Sequence, residues 1–191
     1  MSAAAAPASR VAVLVPVKAF SSAKARLAPA MNGRRREALV RRMAEAVLRA
    51  ARPLPVSVVC DDPAVAAWAS SMGAGVVWTP ARGLNGAVTH GVAVLARSGT
   101  TTVIVAHADL PLASELAPVA DFAGVTLVPD RHGDGTNVAA VPTGAGFQFS
   151  YGPGSFRRHV TECERLGLAL RVLREPLLSW DVDVPADLVA G

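Results

Sequence analysis

The chain has only two cysteines in 191 residues, Cys60 and Cys163. They are too few and too far apart for a disulfide framework or a cysteine-held metal knuckle, so packed, reduced thiols in a cytoplasmic protein are expected. Aromatic residues are scarce as well, at 5%. The formal charge of +4 therefore comes without the stacking platform that nucleic-acid strands use, and small phosphorylated ligands fit it better than nucleic acid does. No apolar run approaches the roughly 18 residues of a membrane span. The stretch 1–10, rich in alanine, has no basic segment ahead of an apolar one, which argues against a signal peptide. Charged residues make up 18% beside 51% hydrophobic ones, a balance that excludes a disordered chain. The length suits one well-filled domain, here 11–191 after a flexible N-terminus over 1–10.

What is present is an alternation of buried strands and amphipathic helices. Val11 to Lys18, Val56 to Cys60, Gly75 to Trp78, Thr101 to Ala106 and Val125 to Val128 are short apolar runs without alternation, the pattern of strands covered on both faces. Helices are expected over about 34–49, from Pro63 to about Met72, from the Gly83–Gly86 stretch that leads into one to about Arg97, over 114–122 and over 155–166. Asp62 followed by Pro63 reads as a cap and first helical position. Arg34, Arg35, Arg36, Arg41 and Arg42 fall opposite Leu39, Val40, Met43 and Val47, as on the solvated face of a helix. A strand is expected over 169–173. The fold class is α/β, a mostly parallel central sheet with helices on both faces. Beyond Val128 the rhythm breaks into glycine-punctuated loops over 129–137 and 147–155, long enough to be functional. Asp130 to Val141 fails as a calcium loop, because Val141 stands where a bidentate Glu is needed.

Candidate chemistry clusters where strands end. Asp109 follows the most strongly β-branched run, and ligand crevices in open α/β sheets lie outside the carboxyl ends of strands; a plain turn before Pro111 is the alternative. Lys18, Lys24 and Arg26 follow the first strand and form either a cradle for a polyphosphate or a solvated basic loop. The segment is neither of the usual glycine-rich phosphate loops. Asn85 opens a helix as a cap or as a partner for a nucleobase edge. Gly144, Gly146, Gly152 and Gly154, ahead of Ser155, offer backbone amides to an anion or simply make turns. Asp181 and Asp183 are two apart, so an extended strand would place both carboxylates on one face, suited to Mg²⁺; Asp183 is alternatively a cap for a helix near Pro185.

Taken together, several segments match one family in order along the chain. They are Val15-Pro-Val-Lys18 with Ala23-Lys24 and Arg26-Leu27, Gly83-Leu84-Asn85, Ala108-Asp109-Leu110-Pro111, Pro129-Asp130 with Gly135-Thr136-Asn137, Phe149 with Gly152 and Ser155-Phe156, and Asp181-Val182-Asp183 with Pro185 and Asp187-Leu188. The chain resembles the guanylyltransferases of deazaflavin coenzyme F-420 biosynthesis. Ala25 and Phe20 depart from the family's pattern in the first loop. The resemblance implies a nucleotidyltransferase fold of the nucleotide-diphospho-sugar transferase kind. It implies Mg²⁺ on Asp109, Asp181 and Asp183, the triphosphate of GTP facing Lys18, Lys24 and Arg26, and Asn85 on the guanine side. Thr136, Gly152 and Ser155 would hold the acceptor, phosphoenolpyruvate or 2-phospho-L-lactate, with the labile product handed to a following enzyme. Transfer to another phosphorylated acceptor, or an inactive nucleotide-binding regulatory module, are the competing readings.

Overall fold

The computed structural model describes residues 10–189; the flexible stretch expected over 1–10 lies, but for Arg10, outside the described residues. Seven strands form one sheet: β1 (Val11–Pro16), β2 (Val56–Cys60), β3 (Gly75–Trp78), β4 (Thr102–Ala106), β5 (Val125–Pro129), β6 (Thr136–Pro142) and β7 (Leu170–Val172). Their order is β3-β2-β1-β4-β6-β5-β7. Only β6 runs against its neighbours β4 and β5; every other pairing in the sheet is parallel. The mostly parallel sheet expected from the sequence is therefore present.

The principal helices are α1 (Gly33–Ala50), α2 (Pro63–Ser71), α3 (Gly83–Arg97) and α4 (Ser155–Leu166), with a single turn α5 (Pro176–Ser179) near the end. Successive strand residues point to opposite faces, and β1 shows the result. Val13 and Val15 pack with Val40, Met43 and Val47 of α1 and Trp68 of α2. Leu14 packs on the other side with Val88 of α3, in the cluster that also holds Cys163 of α4. Each such side chain, fully buried, contributes about 1.5–3 kcal/mol. On that second face α3 lies close to the sheet at Gly91, where a Cβ would stand 2.6 Å from Leu14 Cδ2. Any larger residue there would have to displace the buried Leu14 side chain or the helix.

Local signals set most boundaries. Asp62 accepts from Val65 N–H at 3.0 Å with Pro63 opening α2, as expected, and Asn32 accepts from Arg35 N–H at 3.0 Å to start α1. Two expectations fail. No helix spans 114–122; only Ala117–Ala120 forms a 3-10 turn. Pro118 removes a donor there, and Leu116 N–H instead donates to Ala50 O at 3.0 Å, at the end of α1. The expected loop 129–137 is also shorter, because Thr136 and Asn137 already belong to β6. Asp130 makes the reversal: its carboxylate accepts from the N–H groups of His132, Asp134 and Gly135 at 2.9, 3.0 and 2.7 Å.

The connections run β1 to β2 to β3 in one direction and return to β4 on the far side of β1. The crevice between the carboxyl ends of β1 and β4 is thus the topological switch point, where open α/β sheets bind ligands. Lys18 leaves from one strand there and Asp109 from the other.

Candidate active site

A cavity of about 760 Å³ opens at that switch point, and Lys18, Lys24, Arg26, Asp109, Gly152 and Asp183 all line it. The loop after β1 is held rather than free. Val17 N–H donates to Val59 O at 3.0 Å, and Arg36 of α1 donates to Ala23 O at 3.1 Å and Ser21 O at 3.3 Å. Phe20 is buried against Trp68, edge to face at 5.1 Å, with the Arg41 guanidinium 4.5 Å over its ring. Two of the arginines read as a solvated helix face are therefore partly occupied in fixing the first loop, and Phe20 is its apolar anchor.

Lys24 adopts a left-handed backbone (φ 55°), and its ammonium bonds both Asp109 and Asp183. Burial pulls the Lys24 ammonium down, but Asp109 and Asp183 outweigh it and its pKa is raised. For Asp109 burial pushes upward, while Lys24 and His107 pull the carboxyl below the ordinary carboxylate range. Lys24 bonds Asp109 through Oδ2; Oδ1 is buried without a hydrogen-bond partner among the described residues. The pKa of Asp181 is raised, first by burial and then by the negative charges of Asp109 and Asp183. Asp181 thus feels the other two carboxylates, which share a single ammonium between them. Among the described residues, no three His, Cys, Asp or Glu side chains converge as a ready metal cage.

The Asp181–Asp183 segment is not a strand but an irregular run between α5 and a 3-10 turn, Pro185–Val189. Its shape comes from side chains. Asp187, inside the turn, reaches back to accept from the N–H groups of Asp183 and Val184 at 2.7 and 2.8 Å, while the Asp183 carboxylate bonds Lys24 and makes no cap bond among the described residues. Arg131 bonds Asp187, donates to Asp181 O at 2.9 Å, lies 3.6 Å from Asp181 Oδ1 and covers the Trp180 ring at 4.3 Å. Val182 N–H reaches Asp109 O at 3.2 Å. Sequence reasoning missed Arg131. It stood in a stretch already singled out, but its partners lie about fifty residues onward and no spacing rule connects them.

Asn85 is not a helix cap; Arg82 holds that position without a side-chain cap bond. Asn85 Oδ1 accepts from Tyr151 N–H at 2.7 Å and its Nδ2 donates to Tyr151 O at 3.3 Å. That clamp sets the strap carrying Gly152, whose φ of +121° suits glycine alone. Thr136 and Ser155 stand behind the strap, 1% and 2% exposed. Thr136 N–H donates to Ser155 Oγ at 3.0 Å, and Thr136 Oγ1 lies 3.0 Å from His159 Nδ1. Of the ten residues singled out from the sequence, Asn85, Thr136, Ser155 and Asp181 do not line the cavity. His107 lies on that wall but is a poor base, because burial holds its pKa down.

The guanylyl transferase CofC-like family model matches residues 11–190. The chain belongs to this family. A phosphoenolpyruvate guanylyltransferase of Sphaerobacter thermophilus is 39% identical over 184 residues, covering 92% of this chain and 89% of that protein. One of Thermomonospora curvata is 41% identical over 192 residues, covering 94% and 82%. Among solved structures, a protein provisionally described as a nucleotide-diphospho-sugar transferase, from Desulfovibrio desulfuricans, superimposes with a TM-score of 0.75 at 15% identity, covering 94% of this chain and 85% of that one. A nucleotidyl transferase from Methanothermobacter gives 0.66 at 17%, covering 94% of each. The family's sheet is thus a nucleotidyltransferase sheet, as the resemblance implied.

Proposed function

We propose that the protein is a Mg²⁺-dependent guanylyltransferase that moves GMP from GTP to phosphoenolpyruvate, in deazaflavin coenzyme F-420 biosynthesis in the cytoplasm, with 11–191 acting as one catalytic domain. The observation that carries this reading is the relatives named phosphoenolpyruvate guanylyltransferase, 39% and 41% identical over more than nine-tenths of the chain. The cavity chemistry supports it: three cations line one crevice at the switch point with Asp109 and Asp183, and a third carboxylate, Asp61, lies on the same wall.

Both reactants are anions, so the reaction needs charge neutralisation and alignment more than a protein nucleophile. A phosphate oxygen of the acceptor attacks the α-phosphorus of GTP. The bond from that phosphorus to the α–β bridging oxygen breaks, and pyrophosphate leaves with the electron pair. The acceptor phosphate has a second pKa of about 6 and is already dianionic near neutral pH, so no general base is required. Lys18, Lys24 and Arg26 face the triphosphate. Asp109, Asp181 and Asp183 would hold Mg²⁺, a set of hard oxygen donors whose partnerless Asp109 Oδ1 suits such an ion. When bound, Mg²⁺ supplies Lewis-acid stabilisation of charge on the reacting phosphate. Gly152 offers its backbone to the acceptor, with Thr136 and Ser155 shaping the wall behind, and Asn85 acts on the guanine side through the strap. The labile product would pass to the next enzyme.

The test is pyrophosphate release from GTP and Mg²⁺ with phosphoenolpyruvate, 2-phospho-L-lactate or no acceptor. Release that depends on phosphoenolpyruvate is expected. Release only with phospholactate would move the acceptor assignment. GTP binding without release on either acid would favour a different acceptor or a regulatory module.

A further inference from the structure

At the end of the cavity formed by β2 and β3, the wall contains residues that the phosphate chemistry leaves unused. Val59, Leu84 and Ala87 provide apolar sides, and Asp61 and Thr79 provide polar atoms. Thr79 is 3% exposed, yet its Oγ1 has no hydrogen-bond partner among the described residues. A buried hydroxyl is expensive to leave unpaired, which points to a ligand that completes it. Asp61 is exposed, and its carboxylate forms no hydrogen bond or ion pair among the described residues, whereas its neighbour Asp62 is occupied in capping α2. The two lie side by side at the ends of adjacent strands: Cys60 pairs with Trp78, and Thr79 N–H donates to Cys60 O at 2.9 Å. From β3 to β4 is three strand steps. At about 4.8 Å each this is roughly 14 Å, comparable to a nucleoside monophosphate whose phosphate sits by Asp109.

We infer that Asp61 and Thr79 read the base and make guanine the preferred purine. This rests on the guanylyl reading above. The Asp61 carboxylate accepts from the N1–H and 2-amino groups of guanine, two donors side by side facing two acceptor oxygens. The Thr79 hydroxyl donates to O6, while Val59 and Leu84 give the purine apolar contact. Adenine presents a lone pair at N1 and no 2-amino group, so the same carboxylate repels it. A site built around specific donors rejects analogues that lack them more strongly than an apolar pocket can.

The experiment compares GTP, inosine triphosphate, xanthosine triphosphate, ATP and CTP in acceptor-dependent pyrophosphate release, with calorimetry for binding, in the wild-type protein and in Asp61→Asn and Thr79→Val. Inosine triphosphate, lacking the 2-amino group, should lose about 10-fold or more in kcat/KM against GTP. Asp61→Asn should lose about 10–100-fold with GTP and gain with xanthosine triphosphate, because the Asn amide donates to the 2-oxo group. Thr79→Val should weaken GTP while leaving its preference over xanthosine triphosphate unchanged. An Asp61→Asn variant that keeps the wild-type GTP-to-xanthosine-triphosphate ratio, in turnover or in binding, overturns the inference and leaves the guanylyl reading standing. Equal use of GTP and inosine triphosphate by the wild type overturns it without any variant. A wild-type protein with no preference for GTP over ATP and CTP defeats the guanylyl reading itself and this inference with it.

Discussion

His159 ties protein stability to pH between about 4 and 6.5. It lies fully buried under the strap, and its hydrogen bonds fix its tautomer: Nε2 accepts from Ser150 N–H at 3.0 Å, leaving Nδ1 to carry the proton toward Thr136 Oγ1 at 3.0 Å. A second proton would have to go on Nε2, where it would face the Ser150 donor. Burial, with the nearby Arg158 charge, holds its pKa down to about 4 from the ordinary 6.5. The unfolded chain therefore binds the extra proton first as pH falls. Stability is full above the unfolded value and is lost as pH drops from about 6.5 through about 4. The full effect of that lowering, at about 1.36 kcal/mol per pH unit, is about 3.4 kcal/mol, of which about 3 is lost by pH 4, a large share of a typical domain's stability. Urea unfolding at pH 7.0, 5.5 and 4.0 would measure it against His159→Gln, which keeps an acceptor for Ser150 without titrating in this range. His107 and the carboxylates are common to both proteins, so the difference between the two curves isolates His159. The wild-type protein should lose about 3 kcal/mol more than the variant over that span. Parallel curves would refute the reasoning.

Asp109→Asn should lower kcat for pyrophosphate release by more than about 100-fold, since in the proposed mechanism it removes a carboxylate that would hold Mg²⁺; near-normal turnover would remove Asp109 from the metal assignment. Arg131→Met leaves Asp187, with its side chain 4% exposed, without its countercharge. It should cost about 3 kcal/mol in denaturant unfolding and, through the displaced Asp181–Asp183 segment, at least about tenfold in kcat. Unchanged kcat would show that the segment holds its shape without Arg131. Asn85→Ala should release the Tyr151 clamp and raise KM for both GTP and the acceptor; unaltered KM values, with kcat intact, would detach the strap from substrate binding.

What the sequence determined by itself is the set of elements whose signals are local. β2 and β3 run over the expected residues, α4 starts at Ser155, and Asp62 with Pro63 opens α2, because apolar runs, caps and Pro positions act within a few residues of themselves. The identity of the charged residues around the switch point was legible for the same reason, each sitting just past the end of a strand or within a loop. Tertiary structure decided everything that depends on partners far along the chain. β6 contains Ala139 and Ala140, weak strand formers, and becomes a strand by pairing with β4 and β5, in a direction that no residue in it encodes. The 181–183 segment takes its form from Arg131 and Asp187 rather than from strand pleating, and Asn85 finds its partners 66 residues away. The family resemblance assigned Thr136 and Ser155 to the acceptor, and Ser155 also follows the glycine-rich stretch with a hydroxyl. Packing under the strap decided that Thr136 bonds Ser155 and lies beside His159. Side-chain chemistry is local, but the group that satisfies it is set by which strands the fold makes neighbours.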